Sequence, residues 1–124
     1  VAVRVLLVED SATMRSFVAD TLEEAGIVDV TTAPSGFAAL QALPGGHFDL
    51  VISDINMPDI NGLELIRFIR GSRAHARVPL LVISTGGRDK DRERCLALGA
   101  SGYLVKPFAP AALLAEVRRH VHLP

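Results

Sequence analysis

Residues Phe48 to Gly62 read FDLVISDINMPDING, and the rest of the chain can be arranged around them. Leu50 to Ile52 is an apolar run too short for a helix and long enough for a buried strand. The run stops at Ser53-Asp54. Two loop signals follow closely, Met57-Pro58 and Asn61-Gly62. An aspartate at the C-terminal lip of a central strand, with a loop behind it, sits where open α/β sheets carry their chemistry.

Working outward from this strand, the same alternation recurs. Residues 3–8 (VRVLLV) read as a strand that ends in the acidic pair Glu9-Asp10. Residues 12–25 switch to helical spacing, with Met14, Phe17, Val18, Thr21, Leu22 and Ala25 on one face, Ser11 or Asp10 as the cap and Gly26 as the stop. Residues 28–32 form a shorter strand. Pro34 and Ser35 lead into a turn or helix with Phe37, Leu40 and Leu43 as its apolar face, stopped by Pro44-Gly45-Gly46. Strand 48–53 is followed by helix 63–70, with Leu65, Ile66 and Ile69 inward. Strand 79–84 is followed by the loop Thr85-Gly86-Gly87 and a charged helix over 89–98, with Arg92, Cys95 and Leu96 at helical spacing. Strand 103–105 ends at Lys106-Pro107, and helix 111–122 places Leu113, Leu114, Val117 and Val121 on one side. Strand and helix alternate through the whole chain, and the strands are continuous rather than alternating apolar runs. The expected fold is therefore α/β, a doubly wound five-stranded parallel sheet of order 2-1-3-4-5 with flavodoxin-like topology and helices on both faces.

Composition narrows the classes. The chain has 124 residues, enough for one domain with a proper core and too few for two. Its hydrophobic fraction of 49 % argues against disorder, and its net charge of −1 gives no basic excess of the kind a nucleic-acid footprint needs. The single cysteine, Cys95, excludes a disulfide framework and fits a reducing compartment, so a cytoplasmic location is expected. There is no signal-peptide pattern and no apolar stretch approaching the ~20 residues of a membrane span. The four histidines, at 47, 75, 120 and 122, show no ligand-like spacing.

In a parallel sheet all strand C-termini lie on one rim. That rim would collect Glu9-Asp10 from strand 1, Asp54 from strand 3, Ser84-Thr85 from strand 4 and Lys106 from strand 5. Three carboxylates there repel one another, and a divalent cation removes the conflict. Carboxylate oxygens with a backbone carbonyl and waters form a hard-oxygen set, for which Mg²⁺ is the expected ion. Lys106 would approach from the opposite side, and Ser84 offers a hydroxyl at similar height. Such a set suits phosphoryl chemistry with a carboxylate nucleophile, each cationic or hydroxyl group taking a phosphoryl oxygen. A new dianion would draw Ser84 toward it and let a neighbouring side chain repack.

The sequence resembles a response-regulator receiver domain, the chemotaxis-regulator type in particular. The resemblance rests on VEDS at 8–11, DINMPDINGLEL at 54–65, VIST at 82–85 and GASGYLVKPF at 99–108. Together these are specific and span the chain, so residues 1–124 read as one receiver domain. The resemblance implies Asp54 as phosphoacceptor, charged by a histidine kinase or phosphotransfer domain. It implies Glu9 and Asp10 as Mg²⁺ ligands beside Asp54, with Asn56 giving its backbone carbonyl. It also implies Ser84 as the switch hydroxyl, Lys106 as the phosphoryl-contacting lysine, a cis Lys106–Pro107 bond, and Tyr103 as the switch aromatic. Asn56 and Gly86 fall at the family's two tuning positions. Bare Gly86 neither shields nor helps an attacking water, so an accessible phosphoryl group is expected. The output surface would be the face of helix 4, strand 5 and helix 5, made locally basic by Arg88, Lys90, Arg92, Arg94, Arg118 and Arg119. It would bind a downstream protein, with no nucleic acid or membrane engaged by this domain.

Other classes fit less well. A phosphohydrolase with an aspartyl nucleophile would want a second aspartate where Asn56 stands. A flavodoxin-like redox domain would want a phosphate-binding loop where Glu9-Asp10 stands, and no nucleotide-binding glycine motif occurs. The chain is thus expected to be no enzyme beyond its own phosphoryl uptake and hydrolysis. The competing reading is a non-phosphorylated receiver acting as a constant docking module. The chain starts at Val1 and stops at Pro124, leaving open a stand-alone monomeric receiver or one cut from a larger regulator or hybrid kinase.

Overall fold

The Leu50–Ile52 run becomes the middle of a five-stranded sheet in the computed structural model, which describes residues 2–86 and 89–123. The strands are β1 (Arg4–Val8), β2 (Asp29–Ala33), β3 (Leu50–Asp54), β4 (Leu80–Ser84) and β5 (Gly102–Val105). They alternate with helices α1 (Ala12–Glu24), α2 (Gly36–Ala42), α3 (Gly62–Gly71), α4 (Asp89–Ala97) and α5 (Pro110–Arg118). All pairings are parallel and the order is β2-β1-β3-β4-β5, as the periodicity predicts.

The pleat explains why three strands read as unbroken apolar runs. Val5, Leu7, Leu50, Ile52, Leu81 and Ile83 point to one face, where Val18 and Leu22 of α1 and Leu113 and Val117 of α5 cover them. Leu6, Val8, Val51, Leu80 and Val82 point to the other, under Ala39 of α2, Leu65, Ile66 and Ile69 of α3 and Cys95 of α4. A central strand thus needs apolar side chains at every position. The edge strands do not. In β2 only Ala33 is buried, and in β5 none of the four residues is.

Some local expectations fail for geometric reasons. Phe37 does not face the core and is 61 % exposed. The buried stripe of the short helix α2 runs through Gly36 and Ala39 and on to Leu43, which turns Phe37 away. Leu96 is likewise exposed, and of the expected α4 stripe only Cys95 is buried. Helix α5 ends at Arg118 rather than at residue 122, and tight turns from His120 and Val121 back to Val117 replace its last turn. Strand β2 begins one residue late because Val28 is outside the sheet and largely exposed. Among the described residues no helix is long and apolar enough to cross a membrane.

Arg70, at the end of α3, ties three segments together below the sheet. Its guanidinium donates to the carbonyls of Ala76, Val78 and Gly99 at 3.2, 2.7 and 2.9 Å. Replacing it would leave those carbonyls without their charged donor. Arg70→Met is expected to lower unfolding free energy by about 2 kcal/mol, the range for charge-assisted bonds, read as a shifted urea midpoint at unchanged slope.

Candidate functional site

Registry brings the strand ends to one rim: Val8 lies opposite Ser53, Asp54 opposite Ile83, and Ser84 opposite Val105. Glu9, one residue beyond β1, is still tied to the sheet by its amide bond to the Ala33 carbonyl at 3.0 Å, and it is fully buried. One of its carboxylate oxygens accepts from the Ser11 amide at 2.9 Å, and the other accepts from Lys106 Nζ. Asp54 ends β3 and is 4 % exposed. Its Oδ1 accepts from the Asn56 amide at 3.1 Å and its Oδ2 lies 3.2 Å from Lys106 Nζ. Asp10 is exposed at the mouth, and Glu9, Asp10 and Asp54 each offer an oxygen within 4.8 Å of the others.

Lys106 is held by its own backbone. Its amide donates to the Ser84 carbonyl at 2.7 Å, and the Lys106–Pro107 bond that follows is cis. Burial pushes the Glu9 carboxyl above the usual range, against the pull of Lys106 and the Ser11 amide. Burial pulls the Lys106 ammonium down, but Glu9 and Asp54 outweigh it and leave its pKa raised. Three carboxylates and one ammonium leave two formal negative charges when all are ionised. An acidic hard-oxygen pocket of that charge has the chemistry of a divalent-cation site.

Ser84 and Tyr103 lie on the same side of the sheet, one strand apart. Among the described residues their hydrogen bonds go to Gly86, not to Asp54. Ser84 Oγ accepts from the Gly86 amide at 3.0 Å, while the Tyr103 hydroxyl donates to the Gly86 carbonyl. Gly86 is therefore gripped on both sides of its backbone. Of the described basic positions, Arg94 is the one placed against α3. It lines the groove between α3 and α4, with Asn61, Glu64 and Arg67. Arg88 and Gly87 lie outside the described residues.

The model of the response regulator receiver domain matches residues 5–118. The chain belongs to the response regulator receiver family. It is 40 % identical over 115 residues to the transcriptional regulatory protein CusR of Escherichia coli K12, covering 93 % of this chain and 49 % of CusR. The receiver chain thus spans about half the length of the curated relatives it matches. Its backbone superposes on chemotaxis response regulator CheY4 of Vibrio cholerae with a TM-score of 0.92, at 36 % identity, over 98 % of this chain and all of that one. The receiver domain of sensor histidine kinase PA1611 from Pseudomonas aeruginosa, solved with a magnesium ion coordinated in its active-site cleft, gives a TM-score of 0.87 at 29 % identity, over 97 % and 98 % of the two chains.

Three features of this receiver's rim escape the pattern of its sequence. Arg15, one turn into α1, donates to the Glu9 carbonyl at 2.8 Å. Asp91, on α4, lines the cleft that also holds Asn56, Ser84 and Gly86. Asp59 straps the loop after β3 to helix α2, accepting from the Gly36 amide at 3.1 Å and the Phe37 amide at 2.9 Å. Gly36 is needed at that crossing, because a β-carbon there would run into Ile60. The only sequence hint was an acidic residue inside a loop, which by itself reads as solvated.

The Phe37 amide, aided by those of Ile60 and Gly36, holds the Asp59 carboxyl below its usual range despite some desolvation. Because the folded pKa lies below the unfolded one, the strap adds stability above the ordinary carboxylate range and loses it as pH falls through the lowered value. Asp59→Ala should leave the sheet intact and speed amide exchange at Gly36 and Phe37 by about tenfold, the loss of roughly one hydrogen bond each. Unchanged protection at both amides in a hydrogen-exchange experiment would show that the strap carries no load.

Proposed function

We propose that residues 1–124 form one receiver domain whose Asp54 takes a phosphoryl group from a histidine kinase or phosphotransfer domain in a Mg²⁺-dependent reaction. The observation that carries this reading is the single Lys106 ammonium spanning the buried Glu9 and Asp54 carboxylates, with Asp10 beside them. Glu9, Asp10 and Asp54, with the Asn56 carbonyl, would hold the cation. Bound there, Mg²⁺ would supply charge neutralisation to phosphoryl oxygens.

A carboxylate oxygen of Asp54 attacks phosphorus, and the donor's phosphorus–nitrogen bond breaks as the imidazole leaves. Lys106, already within 3.2 Å of Asp54, can follow the new dianion without crossing the site. Ser84 Oγ, which accepts from the Gly86 amide, would donate its own proton to a phosphoryl oxygen, and moving toward it would loosen the bond to that amide. Tyr103 holds the carbonyl of that same residue, so a shift of Ser84 reaches Tyr103 through the backbone of one residue. That supports α4, β5 and α5 as the output face toward a downstream protein, with Ser84 and Tyr103 as its switch and Asn56 and Gly86 as positions that tune phosphoryl lifetime.

The test uses isotopically labelled acetyl phosphate with Mg²⁺. Wild-type chain should take up one label and Asp54→Asn none. Full labelling of Asp54→Asn would move the acceptor elsewhere, and no labelling of wild type would leave a receiver that works as a constant docking module.

A further inference from the structure

Gly86 carries no side chain, yet the space in front of it is not empty. A β-carbon built there would lie 3.1 Å from Asp91 Oδ2, 3.5 Å from Ser84 Oγ and 3.9 Å from the Tyr103 hydroxyl. The Asp91 carboxylate of α4 therefore occupies the position from which a side chain at residue 86 would extend. It lines the same cleft, of about 370 Å³, as Asn56, Ser84, Thr85 and Arg94. This cleft lies between the loop after β3, where Ile55 and Asn56 directly follow Asp54, and the loop after β4.

We propose that Asp91 is the residue that positions the hydrolytic water on phosphorylated Asp54, supplying from α4 the carboxylate that residue 86 lacks. The inference rests on Asp54 being the phosphoacceptor. Hydrolysis requires water to approach phosphorus on the side away from the Asp54 oxygen. Asp54 is buried at the end of β3, and Asn56 and Ser84, which line the cleft, stand at the ends of β3 and its neighbour β4, so the water would approach from the cleft. Asp91 accepts a hydrogen bond from the water there. As the water oxygen bonds to phosphorus, the bond from phosphorus to the Asp54 oxygen breaks and Asp54 leaves as a carboxylate. One water proton passes through Asp91 to the departing phosphate, so charge and atoms balance. Asp91 sits in the first turn of α4, where an acidic side chain also favours the helix dipole, and the test has to separate the two roles.

The test follows loss of ³²P from the phosphorylated, donor-free protein, together with thermal melting. Asp91→Ala should slow hydrolysis by at least about tenfold, near the low end for a positioned base because the transition state is loose. Gly86→Asp in the Asp91→Ala background should restore most of the rate, since its carboxylate would start beside the vacated position. An unchanged or faster rate in Asp91→Ala overturns the proposal. So does a slower rate that Gly86→Asp fails to rescue, with a lowered melting point, which would make Asp91 only a helix-terminus residue. Wild-type protein that takes no label would overturn the reading of Asp54 itself, a result distinct from both.

Discussion

Two carboxylates, Glu9 and Asp54, are buried at the C-terminal ends of the mostly apolar strands β1 and β3. An unpaired buried carboxylate costs several kcal/mol, so the fold must deliver a cation to them. Lys106 is that cation, and much of the architecture serves its delivery. It has to arrive from β5, and β5 reaches the rim by pairing with β4, whose last carbonyl fixes the Lys106 amide. Glu9 and Asp54 arrive from β1 and β3, which are neighbours only because the strand order places β1 between β2 and β3. The pocket is thus a product of topology, its charged groups supplied by the ends of three strands, β1, β3 and β5.

The two hydrophobic layers explain how a change at this pocket can travel. The layer under α1 and α5 and the layer under α2, α3 and α4 are separated by the sheet itself. Ser84 and Tyr103 lie on the α4 side, and both are bonded to Gly86. A Ser84 hydroxyl drawn toward the rim would pull on an amide whose own residue is held by the tyrosine. Coupling through the backbone of one residue needs no long chain of side-chain shifts. It also places the responsive segment where packing is thin, since only Cys95 of α4 is buried. Burial pushes the Cys95 thiol pKa up, which suits a packing role rather than reactivity.

The fold was legible because the central strands are apolar at every position and the helices are not, a contrast that survives without any neighbour's help. Boundaries were less legible where tertiary contacts decide them. Phe37 has the spacing of a core residue, but the short helix α2 buries Gly36 and Ala39 instead. At the site, the rim residues could be collected from strand ends alone, because parallel strands share a C-terminal edge. Asp59 and Asp91 could not. Asp59 bonds amides more than twenty residues away and Asp91 lies across a loop from Gly86, and an exposed-looking acidic residue carries no periodic signal. Of the basic positions, Arg94 lines the groove between α3 and α4, a placement that its spacing in sequence does not reveal.

The most direct measurement is a beryllofluoride titration followed by backbone amide NMR, with and without Mg²⁺. Beryllofluoride stands in for the phosphoryl group on a carboxylate. The account predicts shifts that require Mg²⁺, begin at Asp54, Glu9 and Asp10, and extend through Ser84 and Gly86 to Tyr103. A spectrum unmoved by beryllofluoride and Mg²⁺ together would contradict the assignment of this pocket as a phosphoryl switch.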